Sequence, residues 1–219
     1  MKLISQYKSA LQVCENKLIE MSTERQYRGM EKVYQEALVE VLEKNRRKVR
    51  REVLLDKICG QVVDDRSRGY VDIVVEDKNS NVHGIEIKLV QLPREDKYKL
   101  GPSQSLYDIG QITGDFLRLE GARRLTSFDC VIVLHGALLS VYGTSRSLLR
   151  EFHNRMFVDF ETSKIAGELK TQKNLPLRME QERLIKQLGL DQPFTPSTKS
   201  MHAQTVKNLG LITIPGPIP

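Results

Sequence analysis

Apolar and polar positions follow two rhythms along this chain, and the switch from one to the other marks its elements. Over residues 3–20 the apolar positions are broken by Ser5, Gln6, Lys8, Gln12 and Glu15, which predicts an amphipathic helix. A longer helix is predicted over 23–46. There Tyr27, Met30, Val33, Tyr34, Ala37, Leu38, Val41 and Leu42 recur at three- and four-residue steps. Ser22 or Thr23 suits its start, because a side-chain oxygen can accept an orphan amide of the first turn. The period then shortens to two. Val53–Cys59 reads as a strand, Gly60–Gly69 as polar turn sequence, and Tyr70–Glu76 as a second strand. Asp77–Asn81 (DKNSN) is made of turn residues, and Val82–Val90 is the returning strand. Three successive antiparallel strands are therefore expected.

Beyond a charged loop at 92–101, Pro102–Leu119 is predicted to be helical, with Leu106, Ile109, Ile112, Phe116 and Leu119 as its apolar members. Phe128–His135 (FDCVIVLH) is nearly continuous in apolar character, the mark of a strand buried on both faces. Residues 144–157 and 160–170 add helices. From Lys173 onward the character changes, since this stretch holds most of the prolines. A helix over Leu177–Leu188 is expected, followed by an extended or oligomer-contacting arm. The order of elements predicts an α/β fold with three layers around a central mixed β-sheet. Residues 1–172 are expected to form the main domain, with 173–219 as a helix and proline-containing tail.

Composition narrows the functional classes. No apolar run approaches the roughly 18 residues that a membrane helix needs, and the start of the chain has no signal-like apolar core. No membrane association is expected. Cys14, Cys59 and Cys130 form no CxxC pair, so reduced thiols in a cytoplasmic setting are the simpler expectation. The four histidines, His83, His135, His153 and His202, are scattered and suggest no histidine-ligated metal. Neither a phosphate-binding glycine loop nor a GxSxG elbow occurs, which disfavours nucleotide and serine hydrolases. The net charge of +6 favours polyanionic partners. Much of it gathers in one run, Lys44, Arg46, Arg47, Lys48, Arg50 and Arg51. That run reads either as a solvated helix end, where cations suit the terminal carbonyls, or as a patch that contacts nucleic-acid phosphates.

Strand alternation singles out one group of side chains. In GYVDIVVED, Val71, Ile73 and Val75 share one face and Asp72 lies on the other; in GIEIKLV, Ile85, Ile87 and Leu89 share one face, and Glu86 and Lys88 the other. A hairpin between the strands brings Asp72 toward Glu86. Two carboxylates offer the oxygen ligands that Mg²⁺ prefers, and a lysine beside them can position a water or stabilise charge on phosphorus. The plain structural alternative is a surface ion pair.

These residues resemble the signature of the PD-(D/E)XK, or restriction-endonuclease-like, nuclease superfamily. Val71-Asp72 stands where that family has Pro-Asp, and Glu86-Ile87-Lys88 stands for the second half of the motif. The similarity spans about residues 25–137. It implies a Mg²⁺-dependent endodeoxyribonuclease, with Mn²⁺ able to substitute, acting on DNA in restriction, defence against mobile elements or repair. It also implies an acid on the first core helix, for which Glu36 is the choice and Glu31 and Glu40 are rivals. A polar residue on the helix after the lysine strand is implied too, with Gln111 the candidate. Gln111 belongs to a polar stripe with Gln104, Asp108, Asp115 and Arg118, whose simpler reading is a solvent face. Expected metal ligands are Asp72, Glu86 and Glu36, and expected DNA contacts are Arg46, Arg47, Lys48, Arg50 and Arg51. A homodimer or a place in a nuclease complex follows for an enzyme that cuts both strands. Alternatives are a structure-selective nuclease resembling a Holliday junction resolvase, and a non-catalytic nucleic-acid-binding or assembly protein that keeps the fold.

Overall fold

The structure, a computed structural model, describes residues 3–19, 23–54, 70–91, 109–122, 125–135, 144–166, 175–195, 201–206 and 209–216. Helices α1 (Ile4–Ile19) and α2 (Thr23–Lys44) lead into β1 (Lys48–Leu54), β2 (Tyr70–Glu76) and β3 (Val82–Gln91). Helix α3 (Ile109–Glu120), β4 (Ser127–His135), α4 (Ser145–Ala166) and α5 (Leu175–Gln187) follow, then β5 (His202–Thr205) and β6 (Leu209–Pro215). The strands form one six-stranded mixed sheet in the order β1-β2-β3-β4-β6-β5. The first three are an antiparallel meander, β4 runs parallel to β3, and β6 runs antiparallel to β4.

The sheet carries helices on both faces, so its interior strands are apolar on both sides, as such burial requires. On one face Ile73, Val75, Ile85, Ile87, Val131, Val133, Leu209 and Leu211 pack against Tyr7, Leu11, Tyr34, Leu38 and Leu42 of α1 and α2. On the other, Val74, Cys130, Ile132, Leu134, Ile212 and Ile214 pack against α3, α4 and α5 through residues such as Phe116, Phe152 and Ile185. This is an α/β architecture with a mixed central sheet. Among the described residues no helix is long and apolar enough to cross a membrane.

The turn expected at Asp77–Asn81 forms through a side chain. Asp77 Oδ1 accepts from the amides of Asn79 (2.8 Å) and Asn81 (2.9 Å), and this supports Ser80 at a φ of 61°. The single helix α4 covers most of the two segments expected at 144–157 and 160–170.

Two expectations change. Only part of the basic run is a helix end: Lys44 lies in the last turn of α2 and Arg46 and Arg47 in its cap. Helix α2 stops in a Schellman-type cap, with Arg46 at a φ of 57° and the Arg47 amide bonded to the Leu42 carbonyl at 3.1 Å. Lys48, Arg50 and Arg51 then belong to β1, an edge strand, where exposed charge discourages further strand pairing. Observed β1 ends at Leu54, and residues 55–59 of the expected strand lie outside the described residues. The second change is in the C-terminal segment. Rather than an extended arm, it supplies β6, buried between β4 and β5, and α5 contributes Leu184 and Ile185 to the same core as α3. The described residues of this segment, 175–195, 201–206 and 209–216, thus belong to the main sheet and its packing.

Candidate active site

The antiparallel pairing of β2 with β3 runs only from Glu76↔Val82 to Ile73↔Ile85. Beyond that point β2 stays with β1, pairing Val71 with Val53 and Tyr70 with Leu54. Strand β3 stays with β4 as far as Gln91↔His135. The sheet therefore forks between Asp72 and Glu86, the next residues that would have faced each other. Glu52, opposite Asp72, drops out of the β1–β2 pairing and has a φ of 46°, so the backbone bends here as it does at a bulge.

The fork sets Asp72 in place. Its Oδ2 accepts the backbone amide of Ile87 at 2.6 Å, taking a donor that a continuing strand would have used. Its carbonyl accepts Gln35 Nε2 of α2 at 3.2 Å. Across the fork, Glu86 and Lys88 project toward α3. Glu86 is only 5% exposed. Its Oε1 lies 3.1 Å from Arg118 Nη2 and 3.5 Å from Lys88 Nζ. Lys88 Nζ is also 2.9 Å from Asp115 Oδ2, and Arg118 Nη2 touches Asp115 Oδ1. Asp72, Glu86 and Lys88 are thus brought together, with Asp115 and Arg118 added to them.

Burial dominates the electrostatics. It raises the Glu86 carboxyl to about 8, with the Asp72 and Asp115 charges adding to the shift and Lys88 and Arg118 opposing it. Burial likewise raises the Asp72 carboxyl from its ordinary value, against the pull of the Ile87 amide, while Glu31 and Asp115 add to the rise and Lys88 resists it. Burial depresses the Lys88 ammonium, but Asp115, Glu86 and Glu31 outweigh it and hold Lys88 above its usual value. The lysine is therefore charged, and the carboxyl beside it is poised to gain or lose a proton near neutrality.

The helix α2 acid whose charge reaches this group is Glu31. Gln35, one turn on, shares its side of the helix. Glu36 lies about 140° around the helix from Glu31. It is half-buried and is not among the principal charges acting on Asp72, Glu86 or Lys88. Glu40 is committed elsewhere, to Lys17 at 3.0 Å and Lys44 at 2.8 Å, which ties α2 to α1. Gln111 is in α3, one turn before Asp115, and its side chain lies outside the described ones. Asp115 and Arg118 come from the stripe whose simpler reading is a solvent face. Their spacing of three, which puts both on one side of a helix, was the available signal.

The basic residues divide by strand alternation. Arg50 pairs with Val74, which faces the α3 side of the sheet, the side of Glu86 and Lys88. Arg51 pairs with Ile73 and so belongs to the α2 side. Lys48 is held by Glu76 at 2.9 Å. Arg46 and Arg47 lie in the cap that precedes β1.

The donor set suits a hard divalent cation. Glu86 Oε2 is buried with no hydrogen-bond partner, and a buried carboxylate oxygen in that condition calls for a cation or a proton. Asp72 stands beside it on the neighbouring strand. Among the described residues no three His, Cys, Asp or Glu side chains stand together as a ready-made metal cage. Glu86 and Asp115 are instead engaged by Lys88 and Arg118, and Asp72 by the Ile87 amide. Comparison of the chain with protein-family models, curated proteins and solved structures gave no match.

Proposed function

We propose that this chain is a metal-dependent endodeoxyribonuclease with a restriction-endonuclease-like core. Asp72 and Glu86 would hold Mg²⁺ or Mn²⁺, and Lys88 would serve the reacting phosphate and water. The observation that carries this reading is the fork: two carboxylates and a lysine, on adjacent strands, meet where the strands part and leave a buried carboxylate oxygen without a partner. A bound divalent ion would supply Lewis acidity toward the scissile phosphate and a more acidic water. The protein's own part is positional and electrostatic. The Ile87 amide fixes the Asp72 carboxylate. Lys88, held charged by its acidic neighbours, orients the attacking water and stabilises the negative charge that grows on phosphorus. Arg50 lies on the same side of the sheet and can hold a neighbouring phosphate. On this reading the partner is DNA, and a homodimer or a larger nuclease complex serves cleavage of both strands. The buried thiols of Cys14 and Cys130 fit a cytoplasmic setting.

One observation favours a second reading, a nucleic-acid-binding or assembly protein without catalysis. Lys88 and Arg118 already neutralise Glu86 and Asp115, as they would in a purely structural ion network. One experiment separates the two. Plasmid, linear duplex, single-stranded and branched DNA are incubated with Mg²⁺, Mn²⁺ or EDTA. The nuclease reading expects metal-dependent cleavage that is lost in Lys88→Ala and Asp72→Asn. Binding without cleavage under every metal condition selects the second reading. Cutting confined to branched DNA makes the enzyme structure-selective.

A further inference from the structure

The ion cluster has a feature that a structural role leaves unexplained. Buried ion pairs gain their keep as stabilising elements only when the remaining polar atoms are bonded as well. Here they are not. Glu86 Oε2 and Arg118 Nε are both buried without a hydrogen-bond partner, although their side chains touch through Oε1 and Nη2 at 3.1 Å. Arg118 could have met a carboxylate through two parallel bonds, the geometry that suits guanidinium best. It instead spans Glu86 and Asp115 through the single nitrogen Nη2. One cationic atom thus contacts both carboxylates, the two oxygen donors that would hold a divalent ion in its stead.

Charge points the same way. When ionised, Asp72, Glu86 and Asp115 are three carboxylates facing two cations, Lys88 and Arg118. Exchanging the single charge of Arg118 for a divalent charge balances the group, whereas adding a divalent ion with Arg118 still in place overshoots. Arg118 is able to leave. It projects from α3, its side chain is 25% exposed, and its stem is long and flexible.

We infer that Arg118 is a resident counter-cation that competes with the divalent ion for Glu86 and Asp115, and that Asp115 becomes a cation-binding carboxylate once Arg118 swings out. The inference rests on the proposed metal site, but its readout is metal binding rather than cleavage. Mn²⁺ is titrated calorimetrically into the full chain and into Arg118→Met and Asp115→Asn. Arg118→Met is expected to bind about tenfold more tightly, and Asp115→Asn about tenfold more weakly. Equal or weaker binding by Arg118→Met overturns the inference, and so does the lack of binding by both the unaltered chain and Arg118→Met.

A measurement on the unaltered protein covers the case of a variant that fails to fold. An arginine-selective dicarbonyl reagent is applied with and without Mn²⁺, and modification of Arg118 is followed by peptide mass spectrometry. Several-fold faster modification with Mn²⁺ supports displacement; an unchanged rate overturns it. The two readings fail separately. A protein that cleaves DNA but whose Mn²⁺ affinity ignores Arg118 loses only the inference. A protein whose affinity rises in Arg118→Met, yet which cuts no nucleic acid, keeps the inference and loses the nuclease.

Discussion

The two faces of the sheet each bury a polar cluster, and the clusters are built on opposite rules. On the α1–α2 face, the Tyr7 hydroxyl donates to Asp129 Oδ2 at 2.5 Å, and His83 Nε2 lies 3.0 Å from the same oxygen. His83 Nδ1 is 2.7 Å from Ser127 Oγ, so both ring nitrogens have partners. On the α3 face, charges crowd together, and Glu86 Oε2 and Arg118 Nε are among the buried atoms without a hydrogen-bond partner. The first arrangement satisfies its members and joins α1 to β3 and β4. The second keeps its members in tension. On the proposed reading, polar groups buried for architecture are matched atom by atom, whereas those buried for chemistry are left wanting a ligand.

Four measurements would break or sharpen this contrast. The largest effect is expected on the α3 face, where Lys88→Ala should lower metal-dependent DNA cleavage by about 10²–10³-fold. Its far-ultraviolet circular dichroism should be unchanged; cleavage that survives would move the chemistry elsewhere. Next comes the satisfied face. Asp129→Ala strands the Tyr7 hydroxyl and His83, and should cost about 2–3 kcal/mol in urea unfolding while sparing cleavage in the folded fraction. A negligible cost would show that this network is not structural.

The third concerns pH. Because Glu86 is raised from 4.5 to about 8, its protonated form favours the folded state. Its contribution is complete below the unfolded value of 4.5 and is lost as pH climbs through 8. In metal-free buffer the chain should therefore lose stability over that window. Glu86→Gln should flatten the loss and be the more stable protein at pH 9 by about 1–2 kcal/mol. Parallel profiles for the two proteins would remove the premise that Glu86 is costly to ionise. The smallest effect is expected at the edge strand. Arg50→Ala should weaken DNA binding about threefold to tenfold and reduce the salt slope by about one, with Arg51→Ala changing less. Equal losses would mean that DNA does not distinguish the two sides of the sheet.

Much of the fold was legible because strong periodicity survives tertiary context. Tyr34, Ala37, Leu38 and Val41 are buried along α2 as their spacing requires, and FDCVIVLH is an interior strand. Strand β6 was harder to see because LGLITIP lies among prolines, whose frequency suggested a tail. Strand β1 was masked by its own charges, since an exposed edge need not alternate.

The candidate site was legible in the same proportion. Glu86 and Lys88 follow from alternation alone. Asp72 depends on where the strands part, which no local pattern records. That the charge of Glu31, and not of Glu36, reaches the cluster follows from the rotation of α2, which one acidic residue among several does not fix. Asp115 and Arg118 were hidden because a charged helix face looks the same in sequence whether it meets water or buried carboxylates.

The position of β6 also bears on the order in which the molecule can be made. Strand β4 is apolar on both faces and needs hydrogen-bonding neighbours on both edges. Strand β3 is close at hand, but β6 is emitted only after α4, α5 and β5. Until it docks, β4 offers a sticky open edge to any other chain with the same deficit. Slow synthesis and crowding should therefore press hardest on this protein between those two moments, when a chaperone that shields β4 would favour its yield.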